Sequence, residues 1–167
     1  YWSDPIRHRQ GRLALEATRR VIVREALKRL GADQPRIADE LADLYSALRA
    51  ESTVPFPGAL ETLQHLRDRG VRLALITNGN AISQRKKIVK HGLQPFFDYI
   101  LIEGEFGVGK PDERVYRHVL VQMKVEPAET WMVGDNLEWD VAGAQRVGIF
   151  GIWVDVTGAG LPTPSPV

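Results

Sequence analysis

The run "GALETLQHLRDRGVRLALITNG" (residues 58–79) decides the fold class. Its first part, residues 58–70, has the pattern of a helix that ends at Gly70, and glycine is the commonest residue just beyond a helix C-terminus. Its second part, "VRLALIT" (71–77), is a short apolar run typical of a buried strand. A helix leading directly into a buried strand is typical of a parallel sheet whose faces are covered by helices.

The same alternation continues to the end of the chain. Further helices are predicted over 81–92, 112–123 and 137–148, and further strands over 97–102, 130–133 and 149–154. The helix over 112–123 is expected to turn five apolar residues inward, namely Val115, Tyr116, Val119, Leu120 and Met123. These patterns predict an α/β fold, a Rossmann-like parallel sheet with helices on both faces, from about residue 54 to 167.

The first 53 residues have a different character, because they contain helical patterns and no clear strand. One helix is predicted from Arg12 to Leu30, and a second has apolar residues on one face, namely Ile37, Leu41, Leu44, Tyr45 and Leu48. The segment "STVPFPG" (52–58) then interrupts the helical pattern. We therefore predict a helical appendage over 1–53 and an α/β core over 54–167.

Composition excludes several classes of protein. The formal net charge of +1 over 167 residues provides no broad basic surface for nucleic acid. The absence of cysteine excludes disulfides and thiolate metal sites. No signal peptide is visible, and the apolar run "IFGIWV" (149–154) is far too short to span a bilayer. The sequence thus predicts a cytoplasmic protein without nucleic-acid or membrane partners, and it leaves the oligomeric state open.

Polar residues follow three of the predicted strands. Thr77 and Asn78 follow the first, Lys110 follows the second, and the run "VGDNLEWD" (133–140) places Asp135 after the third with Asp140 about one helical turn further on. Each has an ordinary explanation, as a turn, a solvated lysine or a helix cap. Three in succession at the same end of their strands favour a ligand site, since open α/β sheets bind ligands beyond the carboxyl ends of their strands.

These groups suit a phosphorylated ligand with a magnesium ion. The Thr77 hydroxyl can donate to phosphate oxygens, and Lys110 supplies positive charge to them. Asp135 is the kind of hard oxygen ligand that Mg²⁺ takes, and Asp140 is placed to orient Asp135 or a metal-bound water. Phosphoryl transfer depends mainly on positioning and charge neutralisation. The residues at the carboxyl ends of the strands, here called the rim (Thr77, Asn78, Lys110, Asp135 and Asp140), can supply both.

With these motifs the sequence resembles the haloacid dehalogenase superfamily of hydrolases, most of which are phosphatases. "LALITNG" (73–79) is similar to the family's second motif, "GVGKPD" (107–112) to its third and "VGDNLEWD" to its fourth. The resemblance covers essentially the whole chain. It implies catalytic roles for Thr77, Asn78 and Lys110, and a Mg²⁺ site at Asp135 and Asp140. It also implies that residues 1–53 are part of the family's helical cap.

The family's first motif, a strand followed by Asp-x-Asp-x-Thr, does not occur in the 167 residues. In the family it supplies the nucleophilic aspartate, which forms a phospho-aspartyl intermediate that water hydrolyses. We therefore expect an inactive fragment of a phosphohydrolase that acts on a small phosphorylated metabolite. We also expect an incomplete sheet, in which 71–77 and 131–134 have lost a shared central strand. Asp155 in "WVDVTG" (153–158) follows a strand but lies after the fourth motif, so it is a poor candidate for the nucleophile.

Two other functions compete with a phosphohydrolase. A haloacid-dehalogenase-type hydrolase attacks carbon, but that branch generally has Ser-Asn where this chain has Gly134-Asp135. A non-catalytic phosphate-binding or interaction protein would keep the rim and lack the nucleophile. The cluster of basic residues in "DPIRHRQGR" (4–12) is predicted to be a solvated helix start, and Trp139 is predicted to be a packing residue.

Overall fold

The computed structural model describes residues 4–163. Three helices come first: α1 (Pro5–Leu13), α2 (Leu15–Arg29) and α3 (Pro35–Ser52). The α/β region follows with the order α4 (Ala59–Asp68), β1 (Ala74–Thr77), α5 (Ala81–Lys90), β2 (Tyr99–Ile102), α6 (Glu103–Phe106), α7 (Glu113–Met123), β3 (Trp131–Gly134), a π-helix (Leu137–Ala142), α8 (Gly143–Gln145) and β4 (Phe150–Trp153). Short 3₁₀ turns precede β2 and β3. The predicted α/β class is confirmed.

The strands form two separate parallel pairs. In the first, β1 pairs with β2 so that Ala74 lies opposite Tyr99; in the second, β3 pairs with β4 so that Trp131 lies opposite Phe150. Within residues 4–163 no backbone ladder joins β1 to β3. The expectation of an incomplete sheet is therefore confirmed. Among the described residues, β1 pairs only with β2 and β3 pairs only with β4, so the other edge of β1 and of β3 has no paired strand.

Strand β1 is shorter than the predicted 71–77. Gly70 has a left-handed φ of 76° beyond the end of α4, and the Val71 N–H donates to Leu66 O at 3.0 Å. This is the Schellman arrangement that satisfies the last carbonyls of a helix. Val71 therefore completes the helix end, and the strand begins only at Ala74.

Helix α7 joins the two strand pairs through the core. All five of its residues predicted to face inward are buried, which confirms the helical pattern over 112–123. Tyr116 and Leu120 pack with Ala144, Val147 and Ile149, and Met132 of β3 packs against this group. The other three of the five, Val115, Val119 and Met123, pack with Leu101 of β2. Ile76 of β1 contacts both clusters, so side chains of α7 hold the pairs together where no backbone ladder does.

The N-terminal helices pack through small residues and ion pairs. Thr18 of α2 and Ala38 and Ala42 of α3 are buried where these helices meet. The five apolar residues expected along one face of the second helix are instead roughly half exposed, from Ile37 at 46% to Leu44 at 57%. No helix within residues 4–163 has the length and apolar character needed to cross a membrane.

The prediction of one continuous helix from Arg12 to Leu30 is wrong. The backbone leaves the helical conformation at Ala14, where φ is −122° and ψ is 52°. At this point the Leu13 carbonyl accepts a hydrogen bond of 2.9 Å from the Asn80 side chain, which belongs to the loop after β1. A tertiary contact thus satisfies the end of α1 and separates it from α2.

Candidate active site

Asn78 joins the loop after β1 to the loop that carries Lys110. Its side-chain amide donates to Lys110 O at 2.7 Å, and its side-chain oxygen accepts from Lys110 N at 2.8 Å. Gly109 is required beside this contact, because a Cβ there would overlap the Asn78 amide oxygen and the Glu103 carboxyl carbon. The second and third motifs are therefore in direct contact, and the Asn78 amide holds the backbone of Lys110.

The Lys110 side chain extends from this loop to Asp140. Lys110 Nζ lies 2.6 Å from Asp140 Oδ1, and the two side chains are 13% and 6% exposed. The other Asp140 oxygen accepts the Asn136 N–H at 3.0 Å. Gly134 allows this approach, because a Cβ on it would overlap the Asp140 carboxyl group. The third and fourth motifs thus meet in a largely buried ion pair.

A π-helix carries Asp140 to this position. Its widened turn includes a bond from Val141 N to Asn136 O at 3.4 Å, and Asn136 caps the start by accepting the Trp139 N–H at 2.8 Å. The Tyr116 hydroxyl donates to the Trp139 carbonyl, so α7 also holds this turn. π-Helical turns inside helical segments occur frequently at functional sites.

Thr77 ends β1 and Asp135 directly follows β3, but neither side chain takes part in the ion pair of Lys110 and Asp140. The Thr77 hydroxyl makes only a long contact of 3.5 Å with the Asn78 carbonyl. Asp135 is exposed, and its carboxylate forms no hydrogen bond or ion pair with any part of the chain that the structure describes. Of the five predicted site residues, Asn78 contacts the backbone of Lys110, and the Lys110 side chain contacts Asp140. The Thr77 hydroxyl and the Asp135 carboxylate remain available to a ligand.

The chemistry of these donors suits a hard cation at Asp135. Within residues 4–163 no group of three or more His, Cys, Asp or Glu side chains is placed to hold a metal ion. Mg²⁺ needs fewer protein ligands than that, because it is commonly held by one or two carboxylates together with waters and substrate phosphate oxygens. Asp135 fits such a role directly. Both Asp140 oxygens already accept hydrogen bonds, so its assignment as a metal ligand stays a prediction.

Glu103 is a central residue that the sequence reasoning missed. It is fully buried, and its two oxygens accept from Arg12 Nη2 and Arg12 Nε, each at 2.7 Å. Glu103 Oε2 also accepts the Gly79 N–H at 2.9 Å, and this bond holds the loop after β1 in place. Glu103 directly follows β2, and the position of a polar residue directly after a strand was a signal that could have identified it.

Arg12 of α1 is engaged with the site and is not solvated as predicted. Besides its ion pair with Glu103, the Arg12 guanidinium lies 5.2 Å from the centre of the Trp139 ring. The centres of the His8 and Trp139 rings are 5.1 Å apart. Arg9 donates to the carbonyl of Gly107 at 2.8 Å. The prediction for this basic cluster is therefore wrong for Arg12, whose side chain is 17% exposed, while Arg9 is exposed as expected. Trp139 packs against α1.

Asp155 has a structural role. Its carboxylate accepts from the amides of Thr157, Gly158 and Gly160 and from the Thr157 hydroxyl, all at 2.7–3.0 Å. The Gly160 amide, followed by the Thr157 groups and the Gly158 amide, lowers the pKa of Asp155. The carboxylate closes a turn after β4, which agrees with its low rank as a nucleophile.

Comparison with known proteins gives the family. The model of the haloacid dehalogenase-like hydrolase family matches residues 5–148. Phosphoserine phosphatase of Thermus thermophilus is 40% identical over 154 residues, which is 92% of this chain and 56% of that protein. Glyceraldehyde 3-phosphate phosphatase of Methanopyrus kandleri is 33% identical over 124 residues, 74% of this chain and 53% of that protein.

The fold agrees with this match. The magnesium-bound hydrolase YfnB of Bacillus subtilis superposes with a TM-score of 0.74 over 95% of this chain and 69% of that one, at 22% identity. The chain spans about half the length of the curated relatives, 56% and 53% of the two. The matched region contains the Asn78, Lys110 and Asp140 contacts, and the chain belongs to the haloacid dehalogenase-like hydrolase family.

Proposed function

We propose that this chain supplies the phosphate-binding and magnesium-binding side of a phosphohydrolase site that acts on a small phosphorylated metabolite. The observation that carries the proposal is the contact among Asn78, Lys110 and Asp140, which joins three motifs at the carboxyl ends of the strands. The relatives named as phosphoserine and glyceraldehyde 3-phosphate phosphatases support this substrate class.

Each residue of the rim has a distinct role in the proposal. Lys110 places its ammonium charge against the phosphate oxygens, and the Thr77 hydroxyl donates to them. Asp140 is a positioning residue, because it fixes Lys110 Nζ at 2.6 Å and leaves the remaining ammonium hydrogens for the substrate. Asn78 orients the same lysine through its backbone. Positioning and charge neutralisation of this kind account for most of the catalysis of phosphoryl transfer.

The charge of the site supports the proposal of a bound divalent cation. Lys110 contributes one positive charge, while Asp135 and Asp140 contribute two negative charges, so the three side chains together repel a phosphate dianion. Asp135 would hold Mg²⁺, which supplies neutralisation of the phosphate charge when it is bound. The site then carries a net positive charge and attracts the substrate.

A hydrolysis assay on a restored protein tests the proposal. A strand that carries the Asp-x-Asp-x-Thr motif of the family is joined ahead of this chain, and release of phosphate from a generic phosphomonoester is measured with Mg²⁺. We expect turnover in the restored protein that Lys110→Met and Asp135→Asn each reduce by two orders of magnitude or more. Arg24→Gln, far from the rim in sequence and engaged with Asp39, is the matched control and should retain the activity.

The same assay separates the competing functions. A restored protein that binds phosphate without releasing it from esters would indicate a non-catalytic phosphate-binding protein. A restored protein that releases halide from a 2-haloacid, and no phosphate from esters, would indicate the dehalogenase branch. Either result would overturn the proposed phosphohydrolase.

A further inference from the structure

The α2–α3 pair neutralises some of its arginines and leaves others without a carboxylate. On α2, Arg20 is paired with Asp43 and Arg24 with Asp39, both on α3. Arg19 of the same helix and Arg49 of α3 form no ion pair with the described residues. Arg29 and Arg36 of these helices also form no ion pair with the described residues, but Arg19 and Arg49 share a location because both contact Tyr45.

Tyr45 brings Arg19 and Arg49 together. The Arg19 guanidinium lies 5.2 Å from the centre of the Tyr45 ring, and it also donates to the Ser46 hydroxyl at 2.9 Å. Arg49 donates to the Tyr45 hydroxyl at 3.2 Å. An aromatic face and two hydroxyls orient the guanidinium groups, but none of these partners carries a negative charge.

Helix α5 of the α/β region adds a third cation, Lys87, beside the C-terminal end of α3. Lys90 Nζ donates to the carbonyls of Ala50 and Glu51 at 2.6 and 3.1 Å, so α5 lies against the C-terminal end of α3. Lys87, one turn earlier on α5, forms no ion pair within residues 4–163. Partial desolvation and the charges of Arg49 and Arg19 lower the pKa of Lys87.

Like charges held close together repel one another, and a bound anion relieves this repulsion. Partial burial and the charge of Arg49 also lower the pKa of Arg19, and Tyr45 and Glu16 offset this only in part. Arg19, Arg49 and Lys87, the three-cation cluster, come from three different helices. Their mutual repulsion is relieved when one multivalent oxyanion sits among them, since guanidinium forks bind phosphate and carboxylate oxygens with matched geometry.

We propose that the three-cation cluster is an oxyanion-binding site that joins the N-terminal helices to α5. Its ligand class is a phosphate, or a molecule that carries one, held by Arg49 and Lys87 with Arg19 behind them. The site differs from the candidate active site: Lys87 follows the start of α5 at Ala81 by six residues, about 9 Å along a helix axis. Occupancy would therefore stabilise the packing of α2 and α3 on α5.

Titration with inorganic phosphate tests the proposal. Backbone amide shifts of the 167-residue chain are followed by NMR without Mg²⁺, and the same titration is made with Arg49→Gln, Lys87→Gln and the control Arg24→Gln. Each variant removes one positive charge, but Arg24 is already paired with Asp39. Arg49 and Lys87 are exposed, so both substitutions are compatible with an unchanged fold, which circular dichroism checks.

We expect phosphate to shift amides at 45–50 and 86–90. Arg49→Gln and Lys87→Gln should each weaken this binding by about fivefold, the upper end of what one exposed charge pair contributes, and Arg24→Gln should not weaken it. Three outcomes would overturn the site: no shifts at these residues, shifts confined to 77–79 and 110, or equal weakening by all three substitutions, which indicates unspecific attraction.

Discussion

Replacing Asp140 with asparagine tests the ion pair on which the site is built. Asp140→Asn keeps the size and one acceptor oxygen but leaves the Lys110 ammonium, only 13% exposed, without its counter-charge. Removing one partner of a buried pair typically costs about 3–5 kcal/mol of unfolding free energy. Because Lys110 retains some access to water, we expect the lower end, about 3 kcal/mol. For a domain of this size that corresponds to a fall in Tm of roughly 6–12 °C.

Urea unfolding followed by circular dichroism measures the loss. The control is Glu113→Gln, which also removes one carboxylate from an ion pair, since Glu113 lies 3.0 Å from Arg117. That pair is 61% and 45% exposed and spans one helical turn, so we expect a loss of only about 0.3–0.5 kcal/mol. If Asp140→Asn costs no more than Glu113→Gln, the reasoning about a buried, structurally important pair is wrong.

A double-mutant cycle separates the pair from its surroundings. Lys110→Met alone leaves Asp140 buried without its counter-charge, and Asp140→Leu alone leaves Lys110 without its own. The double variant Lys110→Met with Asp140→Leu removes both charges and completes the cycle. We expect the double variant to be more stable than Lys110→Met alone, with a coupling energy of about 2 kcal/mol or more. Strictly additive losses would show that the two side chains do not interact energetically.

Three further predictions concern residues around the site. Burial and the Asp140 charge raise the pKa of Tyr116 in the folded protein. An unfolded tyrosine ionises near pH 10, so the free energy of unfolding should fall by up to about 1.4 kcal/mol per pH unit above pH 10. Tyr116→Phe should remove that component of the pH dependence. Gly134→Ala places a Cβ against the Asp140 carboxyl group and should lower the unfolding free energy by about 1–3 kcal/mol, measured in urea; a neutral result would mean that Asp140 is free to move. The 167-residue chain should show no steady-state phosphatase turnover, because it has no Asp-x-Asp-x-Thr motif, and ordinary enzyme rates abolished by Asp135→Ala would contradict this and require another nucleophile.

Patterns within single elements predicted much of the fold. The inward face of α7 follows from helical periodicity, because Val115, Tyr116 and Val119 repeat at the spacing that places them on one side. The motif residues were found because each directly follows a predicted strand or lies in the loop after one, and this place can be identified from the sequence alone. That Lys110 lies between Asn78 and Asp140 agrees with the expectation that these residues share one end of the parallel strands, while the distances required the structure.

Contacts between distant segments set the limit of sequence reasoning. Arg12 and Glu103 are 91 residues apart, and neither has a local pattern that indicates the other. The break at Ala14 has the same origin, since its cause is a side chain of the loop after β1. Local helical propensity predicts a continuous helix there, and tertiary structure overrides it. The exposure of the apolar face of α3 has a similar explanation, because whether another element covers that face is not encoded in the local pattern.

Phosphate binding at the rim, measured with and without Mg²⁺, tests the central claim most directly. Inorganic phosphate is titrated into the 167-residue chain and into its Asp135→Asn variant, and the amide shifts of Thr77, Asn78 and Lys110 are followed by NMR. If Lys110 and a cation at Asp135 share one phosphate, Mg²⁺ should strengthen the binding at these three residues by about tenfold or more, and Asp135→Asn should remove the Mg²⁺ effect. Phosphate that leaves these amides unshifted in the presence of Mg²⁺, or binding there that is equally strong in Asp135→Asn, would contradict the account.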